Sequence, residues 1–220
     1  MKVGMDGVLL GAWTPINTEI QTILDIGTGS GLIALMLAQR APSALIDAID
    51  IDENAIRQAI FNIDASPWTD SIAIHHRAFS IYAHETDKRY DLIVSNPPYF
   101  VNSLKTPEES RNLARHTDSL NHQDLLLNAK SLLMKTGRIC IILPVNEGLA
   151  AIEYANRIGI FCYQSVYVHP KLQAKAKRLL LEFGLEPLEH RTSSLYIESA
   201  VRHQYTTDYT TLVKDFYLKL

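Results

Sequence analysis

Short apolar runs alternate with stretches of helical periodicity along most of the chain, a pattern that predicts strands joined by helices. Strands are expected over 22–26, 44–51, 71–75, 90–95, 137–143, 161–168 and 177–183, and helices over 31–40, 53–65 and 120–133. Such alternation belongs to a mostly parallel sheet with helices on both faces, because each parallel return needs a crossover long enough to carry a helix. The last two strands break it. Only His169-Pro170-Lys171 and the residues up to Ala176 lie between them, so they are expected to pair antiparallel. The fold class that follows is α/β, with a mostly parallel seven-stranded sheet whose last strand is antiparallel. The closing stretch 205–220 reads as a helix packed on that sheet. With no internal repeat, low-complexity tract or linker, residues 1–220 are expected to form one domain.

Composition narrows the class without naming a task. At 220 residues and 47% hydrophobic, the chain is able to bury a sizeable core. It has neither an apolar run long enough to span a bilayer nor the apolar core of a signal peptide at its start. Cys140 and Cys162 both sit inside apolar strand-like runs, which reads as buried reduced thiols in a cytoplasmic protein. The histidines and cysteines share no metal-ligand spacing, and no metal is expected. A net charge of −3 neither announces nor excludes a nucleic-acid partner, because a local basic patch matters more than the total.

Candidate chemistry begins at Asp25-Ile26-Gly27-Thr28-Gly29-Ser30-Gly31, where a buried strand ends in alternate glycines and opens a helix. Glycines there let the backbone approach a ligand at the carboxyl edge of the sheet, beside a helix N-terminus. The next strand ends in Asp50-Ile51-Asp52, and Asp50 stands about twenty residues past the glycines, where an acid accepts both ribose hydroxyls of an adenosine. Asp52, followed by Glu53, reads as a helix cap. These features suit a dinucleotide or S-adenosylmethionine. The glycine spacing departs from Gly-x-Gly-x-x-Gly, and Asp25 suits the ammonium of a sulfonium donor that has no pyrophosphate, so S-adenosylmethionine is expected.

A second motif, Asn96-Pro97-Pro98-Tyr99, directly follows the apolar run Leu92-Ile93-Val94. Consecutive prolines fix φ and remove two backbone donors, leaving the carbonyls of Asn96 and Pro97 without local competition. With Asn96 Oδ1 they form a set of acceptors for a planar –NH2, and Tyr99 offers a face on which a base stacks, worth about 1–3 kcal/mol. An amine whose lone pair is delocalised is a poor nucleophile. Acceptors that favour a tetrahedral nitrogen, together with alignment, make direct displacement the expected mechanism, without a cysteine nucleophile.

Together these residues resemble the class I S-adenosylmethionine-dependent methyltransferases acting on amino groups. The opening stretch from Met1 to Trp13, the Ser66-Pro67-Trp68 turn and Arg115-His116-Thr117 further resemble the bacterial tRNA(Val) adenine-N6 methyltransferase family, which modifies the adenine 3′ of the anticodon. The resemblance implies a Rossmann-like class I methyltransferase fold, N6-methyladenosine in tRNA as product and S-adenosylhomocysteine as by-product. It implies Asn96, Pro97, Pro98 and Tyr99 as the catalytic set, and Asp25, Gly27, Thr28, Gly29, Gly31, Asp50 and Ile51 as donor contacts. Many relatives place an acid after the third strand to receive the donor's adenine. Arg77-Ala78-Phe79-Ser80 stands here instead, which leaves the backbone of Ala78 or Phe79, or Ser80, for that contact. Met5 replaces a usual threonine, so no hydroxyl contact is carried over there. Relatives also carry a segment ahead of Lys2-Val3-Gly4, so either a truncated start or a shortened lid over the donor is expected.

An RNA substrate calls for phosphate contacts. The acid-free stretch with Lys171, Lys175, Lys177 and Arg178 is one candidate surface, and Lys105, Arg111 and Arg115 are another, although Glu108 and Glu109 dilute it. His116 is read as a loop histidine rather than a base, and His75-His76 as structural. A glutamine-N5 methyltransferase of release factors shares the Asn-Pro-Pro-Tyr chemistry but normally brings an N-terminal helical domain. Other nucleic-acid amino targets, adenine in DNA or rRNA among them, stay open, and a catalytically silent donor-binding module is a further alternative. Oligomeric state is not legible in the sequence.

Overall fold

The computed structural model describes residues 4–98, 121–201 and 204–217. A helix, α1 (Met5–Trp13), precedes β1 (Thr22–Ile26). Then follow α2 (Leu32–Arg40), β2 (Leu45–Asp50), α3 (Glu53–Asp64), β3 (Ile72–His76), α4 (Phe79–Glu85) and β4 (Tyr90–Ser95). Beyond these come α5 (His122–Leu132), β5 (Leu133–Pro144), α6 (Val145–Arg157), β6 (Phe161–Lys171), β7 (Arg178–Gly184), β8 (Arg191–Glu198) and α7 (Thr207–Val213).

The strands form one eight-stranded sheet in the order β3-β2-β1-β4-β5-β7-β6-β8. Every neighbouring pair is parallel except those made by β7, which is antiparallel to both β5 and β6. The short β6–β7 connection produces this reversal, as expected from its length. Two corrections follow. The sheet has eight strands rather than seven, and the antiparallel strand is interior, since β8 returns to pair parallel with β6 at the edge. Its sequence, RTSSLYIE, is polar and exposed over its first half, which leaves only the short Leu195-Tyr196-Ile197 run to signal a strand.

The central strands are apolar on both faces, as strands covered twice must be. On one face, Ile23, Leu92, Val94 and Cys140 pack with residues of α1, α2, α3 and α7; on the other, Leu24, Ile26, Ile93 and Ile141 pack with α4, α5 and α6. Both cysteines are buried free thiols, as expected. No helix among the described residues is long and apolar enough to cross a membrane. The C-terminal helix is shorter than the expected 205–220: α7 gives way to a 3-10 turn at Lys214–Phe216.

Candidate active site

β1 and β4 lie side by side and parallel, with Ile26 opposite Ser95. The glycine-rich turn and the Asn96-Pro97 turn therefore leave the same edge of the sheet from adjacent strands, about 4.8 Å apart. This is also where the strand order reverses, β2 lying to one side and β5 to the other, the place where open α/β sheets leave a crevice. Ser95, almost fully buried, ties the two turns together: its Oγ donates to the Ile26 carbonyl at 2.8 Å.

The first turn is fastened to β2. The amides of Gly27 and Thr28 both donate to the Ile49 carbonyl, at 2.9 and 3.0 Å, and the Gly29 amide donates to Asp50 Oδ2 at 2.8 Å. Gly31 ends the turn as the N-cap of α2 at φ 79°, with Ala59 and Ile63 of α3 against it. Gly27 (φ 70°) is different: a Cβ there would meet nothing within 4 Å, so the turn borders open space.

Beneath it, Asp25 is completely buried. Its Oδ2 accepts from the Thr28 hydroxyl at 2.6 Å and the Ala34 amide at 3.2 Å, while Oδ1 has no partner among the described residues. Burial pushes the carboxyl up to about 7 against the two hydrogen bonds that lower it, and the charge of Asp50 adds a little to the rise. Thr28, expected to face the donor, instead turns its hydroxyl inward to Asp25.

Asp50 closes β2 with its carboxylate at the edge. Oδ1 accepts from the Asp52 amide at 2.9 Å and Oδ2 from Gly29, which leaves each oxygen a further lone pair for a sugar hydroxyl. Ile51 beside it is an exposed apolar side chain. The Arg77 amide donates to the Asp50 carbonyl at 3.0 Å, and His76 Nε2 meets the Ile51 carbonyl at 3.0 Å. These contacts hold Ala78, the N-cap of α4, next to Asp50-Ile51. The Phe79 ring belongs to the core, so only its backbone is available at the edge. Asp52 caps α3 by accepting from the amides of Asn54 and Ala55, as expected. The glycine turn bordering open space, the unpaired buried oxygen beneath it and a carboxylate with an apolar neighbour suit S-adenosylmethionine.

On the second turn, Asn96 is half-buried, Pro97 buried and Pro98 exposed. Facing them is an element the sequence pattern did not predict. A Cβ on Gly7 of α1 would lie 4.0 Å from Asn96 Nδ2 and 3.2 Å from Leu32 Cδ2, so the first turn of α1 borders Asn96. The glycines at 7 and 11, four apart and one of them against Met36, were the available signal for close helix packing. Ser95 carried no signal beyond its place at a strand end.

Of the expected RNA contacts, Lys171, Lys175 and Lys177 are exposed on the β6–β7 hairpin, at the same edge as the two turns. Arg178 is turned elsewhere, its Nε donating to Asp6 Oδ2 of α1 at 2.8 Å. Tyr99, Lys105, Arg111, Arg115 and His116 lie outside the described residues. His75 and His76 hold neighbouring strands together: His75 Nε2 pairs with Asp47 at 2.6 Å, and the exposed His76 meets the Ile51 carbonyl. Among the described residues, no group of three or more His, Cys, Asp or Glu is placed to hold a metal ion.

Residues 9–154 match the methyltransferase small domain. The chain is 47% identical, over its whole length and 92% of the relative's, to a tRNA1(Val) (adenine(37)-N6)-methyltransferase of Parabacteroides distasonis. It is 44% identical, with the same coverage, to the protein of that name from Trichodesmium erythraeum. A solved structure from Agrobacterium tumefaciens, described as a predicted O-methyltransferase, shares the fold with a TM-score of 0.74 at 17% identity, covering 96% of both chains.

Proposed function

The chain belongs to the methyltransferase small-domain family, in the group of the tRNA1(Val) (adenine(37)-N6)-methyltransferases, and from this we propose that it transfers the methyl group of S-adenosylmethionine to N6 of an adenine in the anticodon loop of valine tRNA. In this reading residues 1–220 form one methyltransferase domain, and tRNA as substrate assigns the protein to the cytoplasm. The observation that carries the proposal is the pairing of Ile26 with Ser95, which sets a donor turn and an acceptor turn side by side on one sheet edge.

Each turn then has a task. Asp50 receives the ribose hydroxyls, Ile51 packs on the adenine of the donor, and the backbone at Ala78-Phe79 borders its edge. Gly27 and Gly29 let the chain come close, and Asp25 holds the turn onto the start of α2 through Thr28 and Ala34. When bound, S-adenosylmethionine supplies an electrophilic methyl group on a sulfonium. Asn96 Oδ1 and the Pro97 carbonyl accept the two N–H bonds of the substrate's exocyclic amine, drawing the nitrogen toward tetrahedral geometry so that its lone pair is released from the ring. Pro97 and Pro98 keep those acceptors rigid. Tyr99 provides the stacking face for the splayed base, which costs less to extrude from a loop than from a duplex. Lys171, Lys175 and Lys177 receive phosphates of the same RNA.

Purified protein incubated with methyl-labelled S-adenosylmethionine and, separately, unmodified tRNA, release factor and DNA tests the assignment. Label is expected on tRNA, in material that digests to N6-methyladenosine. Label on release factor alone overturns the assignment.

A further inference from the structure

Both ends of α1 are held by arginines from elsewhere in the fold. At the C-terminal end, Arg40 Nη1 donates to the carbonyls of Gly11 and Thr14 at 2.7 and 2.8 Å. At the other end, Gly4 caps the helix without a side-chain bond, and the first-turn acid Asp6 receives Arg178, 172 positions later in the chain, at 2.8 Å. The pair is only partly open to solvent, with side-chain exposures of 21% for Asp6 and 29% for Arg178. An acid in a first helical turn is favoured by the helix dipole, and a partly desolvated partner strengthens the contact relative to a surface pair.

The position of this pair matters more than its strength. Asp6 immediately precedes Gly7, the residue that borders Asn96. Arg178 opens β7, opposite Pro144 at the end of β5 and Val168 of β6, and directly follows the hairpin that carries Lys171, Lys175 and Lys177. One ion pair thus joins the wall beside the amine-gripping turn to the basic hairpin on the same sheet edge.

We infer that Asp6 and Arg178 are a positioning pair, which fixes the first turn of α1 as a wall beside Asn96 and couples it to the hairpin on which the RNA backbone docks. The inference rests on the tRNA reading above for its substrate, but not for its anchoring role. Arg178 acts through Asp6 and not as a phosphate ligand. Loss of the pair lets the wall beside Asn96 move, so the target amine is held in fewer productive geometries, while the donor turn, built on β1 and β2, keeps its shape.

Asp6→Asn, Arg178→Gln and the reversed double variant Asp6→Arg/Arg178→Asp separate the possibilities. Each single change is expected to lower kcat/KM on tRNA at least tenfold, mainly through kcat, with the dissociation constant for S-adenosylhomocysteine within twofold of the parent. The double variant is expected to recover most of the loss. An Asp6→Asn protein with unchanged kcat/KM beside an Arg178→Gln protein with a raised KM overturns the inference, because that pattern belongs to a phosphate ligand. A separate readout needs no RNA: amide hydrogen exchange from Val8 to Ala12 should quicken at least tenfold in Asp6→Asn, and unchanged exchange overturns the anchoring role. A parent protein that leaves tRNA unlabelled defeats the functional reading, while the exchange measurement still decides the pair.

Discussion

Asp25 shows how a single side chain sets up a site from below. Its carboxyl is buried, raised to about 7, and joined through one oxygen to both the glycine turn and the start of α2. A carboxyl whose folded pKa exceeds its unfolded value of about 3.9 binds its proton more tightly in the folded state. It therefore lowers stability as pH rises from about 4 to about 7, and the full cost remains above that. The difference in unfolding free energy between the parent and Asp25→Asn, followed by denaturant titration without ligand, should change in favour of Asn across this window and level off beyond pH 7. A difference that stays flat from pH 4 to 8 would show that the carboxyl titrates normally. The acids at 25, 50 and 52 were legible in sequence because each stands at or next to the end of a strand or at the start of a helix. The inward turn of Thr28 and the capture of Arg178 by Asp6 were not, since both depend on partners that only the fold brings near.

Among the elements, β2, β3 and β4 are cross-tied by one buried carboxylate. Asp47 of β2 accepts from Tyr90 Oη of β4 at 2.8 Å and from Lys88 Nζ at 2.8 Å, and meets His75 of β3. Burial alone would raise it, but the bonds from His75, Lys88 and Tyr90 outweigh that and hold it down at about 2. A depressed acid contributes stability that is present above about pH 4 and lost as pH falls through 2. Asp47→Asn is expected to cost about 2 kcal/mol at pH 7, measured by urea unfolding, with the deficit closing toward pH 2. A loss under about 0.5 kcal/mol at neutral pH would mean the network is slack. β1 and β4 were readable to the residue, because buried strands between helices declare themselves by apolar runs. α1 and β8 escaped for opposite reasons: α1 is apolar almost all round and broken by glycines, and β8 is a polar edge strand.

Across the whole molecule, function depends on the order in which strands lie, and an alternating pattern does not dictate that order. The placement of β1 against β4, and of the β6–β7 hairpin along the same edge, gathers segments about seventy residues apart in sequence onto one edge of the sheet. The motifs at 25–31 and 96–99 each announced a chemistry; only the sheet shows that the strands leading into them adjoin. If the acceptor turn grips the amine and the donor turn holds S-adenosylmethionine, the two activities are separable. For Asn96→Ala, single-turnover methylation of tRNA is expected to fall at least tenfold, about 1.4 kcal/mol of transition-state stabilisation, while the dissociation constant for S-adenosylhomocysteine stays within twofold. Donor affinity falling in step with turnover would contradict this division of labour between the two turns.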